Sequence, residues 1–573
     1  MITNKQLKNL KDRLWEGADQ LRANSGLKAT EYATPILGLI FLRFAESKYS
    51  QYEAEIIAEF EKNEGTRIER PIHEIAVEKC GYYLPPEARF EYLLNLPEAE
   101  DLALATKTAM EEIEQYTIEL ADTLPKDIYY EVNGEDDPLV LAKLFRVFKD
   151  IPIDVRLDIF GEIYEYFLGK FALAEGQGGG EFFTPSTVVR YMVEVLAPTE
   201  GEIFDPACGS GGMFVQTAHY IEHHSAKGRD VNLRAYGIEK IGATVNLAKM
   251  NLVLNNVRGT ITNANSYYRD PYESFCRFDY VMANPPFNVD EVELDQVKSQ
   301  PRFNTFGVPQ NKTKKAKGDA KETVPNANYL WINLFATSLN EKGRAALVMA
   351  NSASDAGYSE KDIRIRLIES GVISQMVTLP SNMFTSVTLP ATLWFFDRAK
   401  PKQDEILFID ARNVFTQIDR AHRKFSDEQI KNLAIISRLY EGKIEEFTAL
   451  VDEYKAILAA APETSDDEDV PPKAYWQEQI DWLIERFPDG VYTDVIGLCK
   501  AAKLEGEDGV IDQDYSLNPG RYVGVVIEDD GMTEEEFKAE MLRINTELTA
   551  LNDEAHILER TIADNLRSLV GEI

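Results

Sequence analysis

The sequence predicts an α/β protein: a doubly wound, Rossmann-like domain with a mostly parallel sheet, preceded by an α-helical N-terminal domain and followed by a helical C-terminal tail. Two observations predict this class. Between about residues 185 and 397, short β-rich segments alternate with amphipathic helices through short connections, the pattern of strand–helix units in a parallel sheet. On both sides of this region, apolar residues recur at helical spacing instead.

The first 152 residues are predicted to form the helical N-terminal domain. Leu7, Leu10 and Leu14 recur every three or four residues, as on the buried face of an amphipathic helix. No strand-like alternation of comparable length interrupts this part of the sequence. A further helix is expected over residues 154–173, followed by a flexible hinge at the glycine-rich residues 176–180.

The central domain is predicted to span residues 153–415. Its expected helices cover residues 185–196, 212–223, 244–255, 328–339 and 359–369. Its expected strands cover residues 202–205, 234–239, 260–263, 278–283, 344–350, 372–379 and 392–397, of which the last two are expected to pair.

Two further regions are predicted after the central domain. Residues 416–530 form a mostly helical extension with a solvated acidic linker at 462–469, and residues 531–573 form a coiled-coil-like helix. In this tail, apolar residues from Phe537 to Leu569 follow alternating steps of four and three, and Thr533 with Glu536 is expected to cap the start. A 3.5-residue repeat of this length predicts a partner helix, either in another chain or elsewhere in this one.

The charge of the chain is strongly acidic, with 61 lysine and arginine residues against 96 aspartate and glutamate residues and a formal net charge of −35. Proteins that bind duplex DNA unaided draw most of their non-specific affinity from basic groups that displace counterions. If the substrate is DNA, we therefore expect another subunit to supply most of that attraction. The alternative is that the acidity serves only solubility.

The cysteines and the hydrophobic segments favour a cytoplasmic protein. The four cysteines form no close pair in the sequence, which argues against a disulfide framework or a zinc site. The apolar run from Pro35 to Leu42 is far too short to cross a membrane, and no charged-then-apolar leader opens the chain. His219 and His223 have metal-compatible spacing, but no third ligand is evident, so we expect a surface histidine cluster and no metal.

A glycine-rich turn between a predicted strand and a predicted helix is the candidate cofactor site. It runs from Asp205 to Met213 and reads Asp-Pro-Ala-Cys-Gly-Ser-Gly-Gly-Met. Ligands of doubly wound sheets bind at the carboxyl ends of the strands, and glycine lets the backbone approach them closely. The helix start at Gly212 offers N–H groups to a carboxylate such as that of methionine, and Asp205 is placed to accept from an ammonium group.

Two later strand ends complete the predicted cofactor site. Glu239 closes the next strand, where an acidic residue binds ribose hydroxyls, and Asn265 is placed to meet an adenine ring. The turn lacks the spacing of a dinucleotide fingerprint or of a phosphate loop. These features predict S-adenosyl-L-methionine as the cofactor, with Cys208 also serving as a small packing residue. The predicted binding residues are Asp205, Cys208, Gly209, Ser210, Gly211, Gly212, Met213, Glu239 and Asn265.

The chemistry is predicted at Asn284-Pro285-Pro286-Phe287, which follows the expected strand 278–283. The two prolines fix φ and lack N–H groups, so the side-chain carbonyl of Asn284 and the backbone carbonyl of Pro285 can accept from one amino group. Two acceptors favour a pyramidal nitrogen whose lone pair can attack a methyl carbon, a catalysis of positioning and electrostatics. Phe287 would stack on a base flipped out of a duplex. An ordinary Asn-Pro turn, the alternative, does not account for this position at the end of a strand that follows the glycine-rich turn.

With these motifs in this order, the sequence resembles the modification (methyltransferase) subunits of type I restriction-modification systems, which are adenine-N6 DNA methyltransferases. The resemblance extends to the helical N-terminal region and the helical tail. It is carried by Glu181-Phe182-Phe183-Thr184-Pro185, Asp205 to Met213, Asn284 to Phe287, Gly307-Val308-Pro309 and Asn328-Tyr329-Leu330-Trp331.

The resemblance implies further site residues and partners. Phe183, Thr184 and Pro185 would close over the methionine part of the cofactor, with Glu181, Phe182 and Ser186 beside them. Two such subunits would join one DNA-specificity subunit, in agreement with the argument from charge. A separate nuclease–translocase subunit would hydrolyse ATP, since this sequence contains no phosphate loop.

Three alternatives remain open. The lysine-rich insert at residues 311–321 is predicted either to touch the DNA backbone or to be a plain surface loop. The enzyme could act on RNA or on protein, although the long helical flanks and Phe183-Thr184-Pro185 favour DNA. The chain could also be a catalytically silent, cofactor-binding scaffold of a defence complex, against which the intact Asn284 turn argues.

Overall fold

A computed structural model describes residues 4–28, 31–135, 137–153, 163–164, 166–171, 184–224, 232–310, 322–384, 390–419, 422–465, 470–526 and 533–570. The chain divides into two compact units, Met1–Val523 and Gly524–Ile573. Some of the predicted features lie outside the described residues. These are the hinge at 176–180, residues 181–183, the lysine-rich insert at 311–321, residues 466–469 of the acidic linker, and residues 154–162, 165, 172 and 173 of the helix expected over 154–173.

The N-terminal part of the larger unit is helical, as predicted. Leu7, Leu10 and Leu14 all lie in its hydrophobic core, and residues 35–49 of the long second helix are buried on every side. A helix segment that is buried on every side lies in the middle of a core, and this one includes the charged residues Arg43, Glu46 and Lys48. The described helices are α1 (Asn4–Arg22), α2 (Ala33–Asn63), α3 (Ile72–Cys80), α4 (Phe90–Leu94), α5 (Leu102–Tyr116) and α6 (Val140–Phe148).

The described central sheet has nine strands in the order β11-β8-β6-β7-β5-β4-β1-β2-β3. Only β7 and β11 run antiparallel to their neighbours, which confirms the predicted α/β class with a mostly parallel sheet. The strands are β1 (Gly201–Asp205), β2 (Leu233–Glu239), β3 (Gly259–Asn263), β4 (Phe278–Ala283), β5 (Leu339–Ala350), β6 (Ile373–Thr378), β7 (Ala391–Asp397), β8 (Glu405–Asp410) and β11 (Cys499–Lys503), with the separate hairpin β9 (Thr416–Gln417) and β10 (Arg423–Lys424).

The sequence did not predict β8, β11 or the small hairpin. The core of β8 is a short apolar run, Ile-Leu-Phe-Ile, which periodicity alone does not assign to a strand or to a buried helix. The segment Cys-Lys-Ala-Ala-Lys of β11 is poor in residues that favour strands. It is a strand because every one of its residues pairs with β8 at the edge of the sheet.

Helices cover both faces of the sheet, as a largely parallel sheet requires. One face packs against α7, α8, α14, α15 and α16, and the other against α12 and α13. The described helices of this part are α7 (Ser186–Leu196), α8 (Gly212–His224), α9 (Gly242–Leu254), α10 (Leu294–Val297), α11 (Pro301–Asn304), α12 (Asn328–Ser338), α13 (Tyr358–Glu369), α14 (Asp427–Tyr440), α15 (Ile444–Ala460) and α16 (Lys473–Arg486).

Helix α9 joins the helical region to the sheet because it belongs to both hydrophobic cores. Val245, Ala248 and Leu252 lie in the core beneath the sheet, whereas Met250, Val253 and Leu254 lie in the core of the N-terminal helices. The buried Lys48 of α2 donates from Nζ to the carbonyl oxygen of Leu254 at 2.8 Å. A cation at the C-terminal end of a helix is favoured by the helix dipole, so this contact stabilises the junction.

The smaller unit contains helix α17 (Glu534–Val570). Its start carries the predicted capping box: Thr533 N donates to Glu536 Oε2 at 2.8 Å, and Glu536 N donates to Thr533 Oγ1 at 3.3 Å. The apolar residues of its repeat, among them Phe537 and Ile562, are exposed within this unit. A partner helix for this seam stays a prediction. None of the described helices is both long enough and apolar enough to cross a membrane.

The contact between α2 and α9 gives a testable stability prediction. We expect Lys48→Met to lower the free energy of unfolding by about 1–3 kcal/mol, because it leaves the buried carbonyl of Leu254 without this donor. Lys62→Met, at an exposed position on the same helix, is the matched control and should change the value by less than about 0.5 kcal/mol. Urea denaturation measures both. Equal stability of the two variants would contradict the stabilising role of the contact between Lys48 and Leu254.

Candidate active site

A cavity of about 790 Å³ opens at the edge of the sheet where the parallel strands end. Asp205, Glu239 and Asn284 meet there because β1, β2 and β4 are parallel and end at one edge. The predicted site residues that line the cavity are Thr184, Ser186, Asp205, Cys208, Gly209, Ser210, Gly212, Met213, Glu239, Asn265, Asn284 and Pro286. Pro185, Gly211, Pro285 and Phe287 do not line it, and Glu181, Phe182 and Phe183 lie outside the described residues.

Glycine is required at different positions of the glycine-rich turn for different physical reasons. Gly209 and Gly211 have φ values of 51° and 81°, which other residues rarely adopt. A Cβ on Gly211 would also stand 3.0 Å from Leu252 of α9, so this glycine allows the turn to pack on that helix. A Cβ on Gly212 would meet no atom within 4 Å, and Gly212 faces the cavity at the start of α8. A Cβ on Gly209 would likewise meet no atom within 4 Å, so the backbone at Gly209 and at Gly212 is open to a ligand.

Glu239 holds the glycine-rich turn and the start of α9 at the same time. Its Oε2 accepts from Gly209 N at 3.1 Å, and its Oε1 accepts from Ile241 N at 2.8 Å. Each carboxylate oxygen has a second lone pair, so both remain able to accept from a ligand. The carboxylate thus faces the cavity in a fixed orientation.

Asp205 is almost completely buried beside this carboxylate. Its Oδ1 accepts from Ala207 N at 2.9 Å. Burial raises the pKa of Asp205 well above its usual range, and the negative charge of Glu239 adds to the effect. Burial likewise raises the pKa of Cys208, which keeps this thiol protonated and suits the packing role expected of it. A cation bound in the cavity would favour the ionised form of Asp205.

Asn284 is oriented by a residue of the other predicted motif. Its Nδ2 donates to the hydroxyl of Thr184 at 2.9 Å, across 100 positions of the sequence. Because the amide nitrogen is held in this way, the side-chain carbonyl of Asn284 has a defined direction. The resemblance implied a role for Thr184 over the cofactor, and the structure adds this direct contact with Asn284.

The turn at Asn284 is also anchored from its far side. Asn288 has a φ of 57°, and its N donates to Asn328 Oδ1 at 2.8 Å. Its own Oδ1 accepts from Asn326 Nδ2 and Asn328 Nδ2, both at 3.0 Å. These three asparagines fix the turn to the start of α12. Sequence reasoning missed the network because its partners are some 40 positions apart.

Sequence reasoning also missed two aromatic residues of the cavity wall. Tyr267 and Trp331 both line the cavity, and their ring centroids are 4.7 Å apart. Trp331 belongs to the segment Asn328 to Trp331 that carries the resemblance, and Tyr267 follows the predicted cofactor residue Asn265 by two positions, but neither had been given a role in the site. Flat, apolar surfaces of this kind are suited to planar ligands.

The N-terminal helical region contributes a further part of the wall that the sequence did not indicate. Its lining residues come from the start of α2 and from the loop after residues 118–120, and they carry no recognisable chemical motif. They are Ala33, Thr34, Leu37, Thr123, Leu124 and Pro125.

Known protein families and curated relatives match almost the whole length of the chain. The family described as N-6 DNA methylase matches residues 155–457, and the family described as the HsdM N-terminal domain matches residues 10–151. The chain is 32% identical to the type I restriction enzyme MjaIX methylase subunit of Methanocaldococcus jannaschii over 97% of this chain and 91% of that protein. It is 33% identical to the HindI methylase subunit of Haemophilus influenzae over 72% and 78% of the two chains.

Solved structures confirm the fold. The type I methyltransferase subunit from Streptococcus thermophilus superposes with a TM-score of 0.64 at 20% identity, over 90% of this chain and 99% of that one. A chain from a study of type I complex assembly and conformational transition superposes with a TM-score of 0.51 at 17% identity, over 96% and 98%. With sequence matches over nearly its full length, the chain belongs to the N-6 DNA methylase family, among the methylase subunits of type I restriction enzymes.

Proposed function

We propose that this DNA methyltransferase subunit transfers a methyl group from S-adenosyl-L-methionine to N6 of an adenine that has been flipped out of duplex DNA. One observation carries the proposal: the glycine-rich turn, Glu239 and Asn284 line a single cavity. A group held by the first two is thereby adjacent to one held by the third. Proximity of this kind accounts for a large part of the catalysis of group transfer.

The residues of the cavity fit the proposed cofactor. Gly212 presents the start of α8 to a carboxylate, Asp205 offers an anionic partner to an ammonium group, and Glu239 offers acceptors to ribose hydroxyls. The cavity of about 790 Å³ is large enough for a ligand of drug size with room for a second group. When bound, the cofactor would supply an electrophilic methyl group.

The protein's contribution to the reaction would be to hold and orient the amino group. The side-chain carbonyl of Asn284 would accept one of its hydrogens, and the backbone carbonyl of Pro285 is proposed to accept the other. The hydroxyl of Thr184 keeps the Asn284 amide in place, and Asn288 keeps the turn in place. Acceptors that are fixed before the reaction stabilise the developing positive charge on nitrogen without reorganisation.

Phe287 is proposed to stack on the flipped base. It is half-buried and packs between the two core layers of the sheet, next to the cavity-lining Pro286. Tyr267 and Trp331 offer further aromatic surface in the same cavity. Stacking repays part of the energy of unpairing a base.

We further propose that a separate specificity subunit chooses the DNA site, with two copies of this chain per specificity subunit. The net charge of −35 supports this division, since a chain with this charge attracts DNA weakly by itself. The exposed apolar repeat of α17 supports a helical partner. A nuclease–translocase subunit would join for restriction.

The alternatives predict different results for Asn284→Ala. We expect N6-methyladenine formation by the assembled enzyme to fall by about 100-fold or more, because one fixed acceptor is lost, while affinity for S-adenosylmethionine changes little. Asn95→Ala, at an exposed position, is the control and should keep full activity. Incorporation of labelled methyl groups into DNA measures the rate. Unchanged methylation in Asn284→Ala would favour the silent-scaffold alternative. Methylation of RNA instead of DNA by the wild-type enzyme would favour the alternative of an RNA methyltransferase.

The proposed pairing of Asp205 with an ammonium group predicts a pH dependence. Because the pKa of Asp205 is raised, its carboxylate becomes protonated at higher pH than that of an ordinary aspartate. Affinity for S-adenosylmethionine should therefore fall as the pH is lowered from neutrality.

Asp205→Asn keeps the acceptor for Ala207 N and removes the titrating charge. This variant should bind the cofactor weakly and lose most of the pH dependence. Isothermal titration calorimetry across the acidic range checks both proteins. A flat profile for the wild-type protein would rule out the pairing.

The division of labour is tested by methylation maps. Expressed alone, the chain should leave cellular DNA without sequence-specific N6-methyladenine, because its charge gives it little affinity for DNA. Co-expression with a specificity subunit should produce methylation at one sequence motif. Single-molecule sequencing reads the modified positions. Sequence-specific methylation by this chain alone would contradict the proposal.

A further inference from the structure

The cavity is closed on one side by the N-terminal helical region, whose residues 33–37 and 123–125 line it. This side is largely apolar, with Leu37, Leu124 and Pro125 beside the hydroxyl-bearing Thr34 and Thr123. The lining also includes the polar groups of Asp205, Glu239 and Asn284. Binding sites commonly combine a large apolar surface with a few fixed polar groups, and they often lie between domains.

The loop that supplies residues 123–125 is fixed by one carboxylate, that of Glu114 on α5. Its oxygens accept from three consecutive backbone N–H groups: those of Asp122 at 3.1 Å, Thr123 at 2.9 Å and Leu124 at 2.6 Å. Lys126 Nζ donates to Oε2 at 2.6 Å, and the Glu114 side chain is only 9% exposed. Hydrogen bonds to an ionised, partly buried acceptor are among the strongest in proteins.

The same loop is seated against α2 at a glycine. A Cβ on Gly38 would stand 2.5 Å from Pro125 Cγ and 2.3 Å from the hydroxyl oxygen of Tyr129, so any other residue would displace the loop. Leu37, its neighbour in the sequence, lines the cavity. The start of α2 and the loop therefore form one continuous surface, held from behind by Glu114 and from the side by Gly38.

Helix α9 connects this surface to the predicted cofactor residues. Its Thr244, Leu247 and Met250 line the cavity, while Lys48 of α2 binds its last carbonyl. The start of α9 is held by Glu239 through Ile241 N. The helical region and the glycine-rich turn thus keep a defined distance across the cavity.

We propose that the N-terminal helical region forms one wall of the methyl-donor site, and that Glu114 is a positioning residue that holds residues 122–125 against the bound donor. The inference rests on the proposed function, since it assumes that S-adenosylmethionine occupies this cavity. It assigns to the helical region a direct part in donor binding. Glu114 itself does not line the cavity and would act only through the loop.

Glu114→Gln tests the positioning role. Glutamine keeps the size of the side chain but directs an N–H group towards a set of donors, so the loop must shift. We expect the dissociation constant of S-adenosylmethionine to rise about tenfold, as for other small displacements of binding groups. The KM for the donor should rise with it, while kcat at saturating donor should be retained.

Glu112→Gln is the matched control. It lies on the same helix, and its buried Oε2 makes no hydrogen bond within the described structure. Its affinity for the donor should equal that of the wild-type protein. Calorimetry on the full-length chain, well below the melting temperature of each variant, separates donor binding from global stability.

A second variant approaches the wall from the surface. Thr34 is exposed at the start of α2 and lines the cavity, so Thr34→Trp should fill part of the site and abolish detectable donor binding without disturbing a core. Thr108→Trp, at an exposed position on α5, is its control. This pair decides the question if Glu114→Gln does not fold.

The outcomes separate the two proposals. If the wild-type protein binds S-adenosylmethionine and both Glu114→Gln and Thr34→Trp bind it equally well, the helical region is no part of the donor site and the inference is wrong. If the wild-type protein does not bind the donor at all, the proposed function itself fails. Weaker binding in Glu114→Gln and Thr34→Trp, with unchanged binding in Glu112→Gln and Thr108→Trp, supports the inference.

Discussion

The carboxylate of Glu239 is the contact on which the rest of the site depends. It ties the glycine-rich turn after β1 to the start of α9 after β2 through Gly209 N and Ile241 N. Parallel strands bring these two connections to the same edge of the sheet, and the carboxylate then fixes them relative to each other. Since α9 packs on both the sheet and the N-terminal helices, the same contact also connects the glycine-rich turn to the helical region.

The site places two carboxyl groups next to each other, one of them almost completely buried. Asp205 is buried beside Glu239, and its raised pKa reflects the cost of ionising it there. The ionised form of Asp205 is unfavourable in the free protein and becomes favourable when a cation enters the cavity. Binding of a cation therefore relieves an unfavourable arrangement that the folded protein maintains. The proposed donor carries an ammonium group, and its sulfonium centre adds a second positive charge.

The proposed catalytic turn is held by amide groups and a hydroxyl, all of them neutral. Thr184 orients Asn284, and Asn326 and Asn328 anchor Asn288. Neutral groups suit this task because a charged group next to the Asn284 carbonyl would change how strongly that carbonyl accepts a hydrogen bond from the amino group. The acidic groups that are proposed to hold the cofactor and the neutral groups that are proposed to hold the amino group line one cavity. Each set would stabilise a different part of the proposed reaction.

Much of the fold and of the site follows from local sequence. Strand–helix alternation predicted the α/β class, and the residues from Asp205 to Met213 and from Asn284 to Phe287 carried the resemblance to the family, because glycine permits and proline imposes particular backbone angles locally. Other features are not local. β11 is a strand only because it pairs with β8, and Thr184 meets Asn284 across 100 positions. Gly211 proved to be a packing position against α9.

The wall at Thr34 and Leu124 has no sequence signature, since ordinary apolar and hydroxyl residues become part of a site only when two domains place them at one cavity. The sequence by itself determined the chemical groups and the class of fold, whereas only the tertiary structure decided which distant residues face those groups, because long-range packing sets their neighbours.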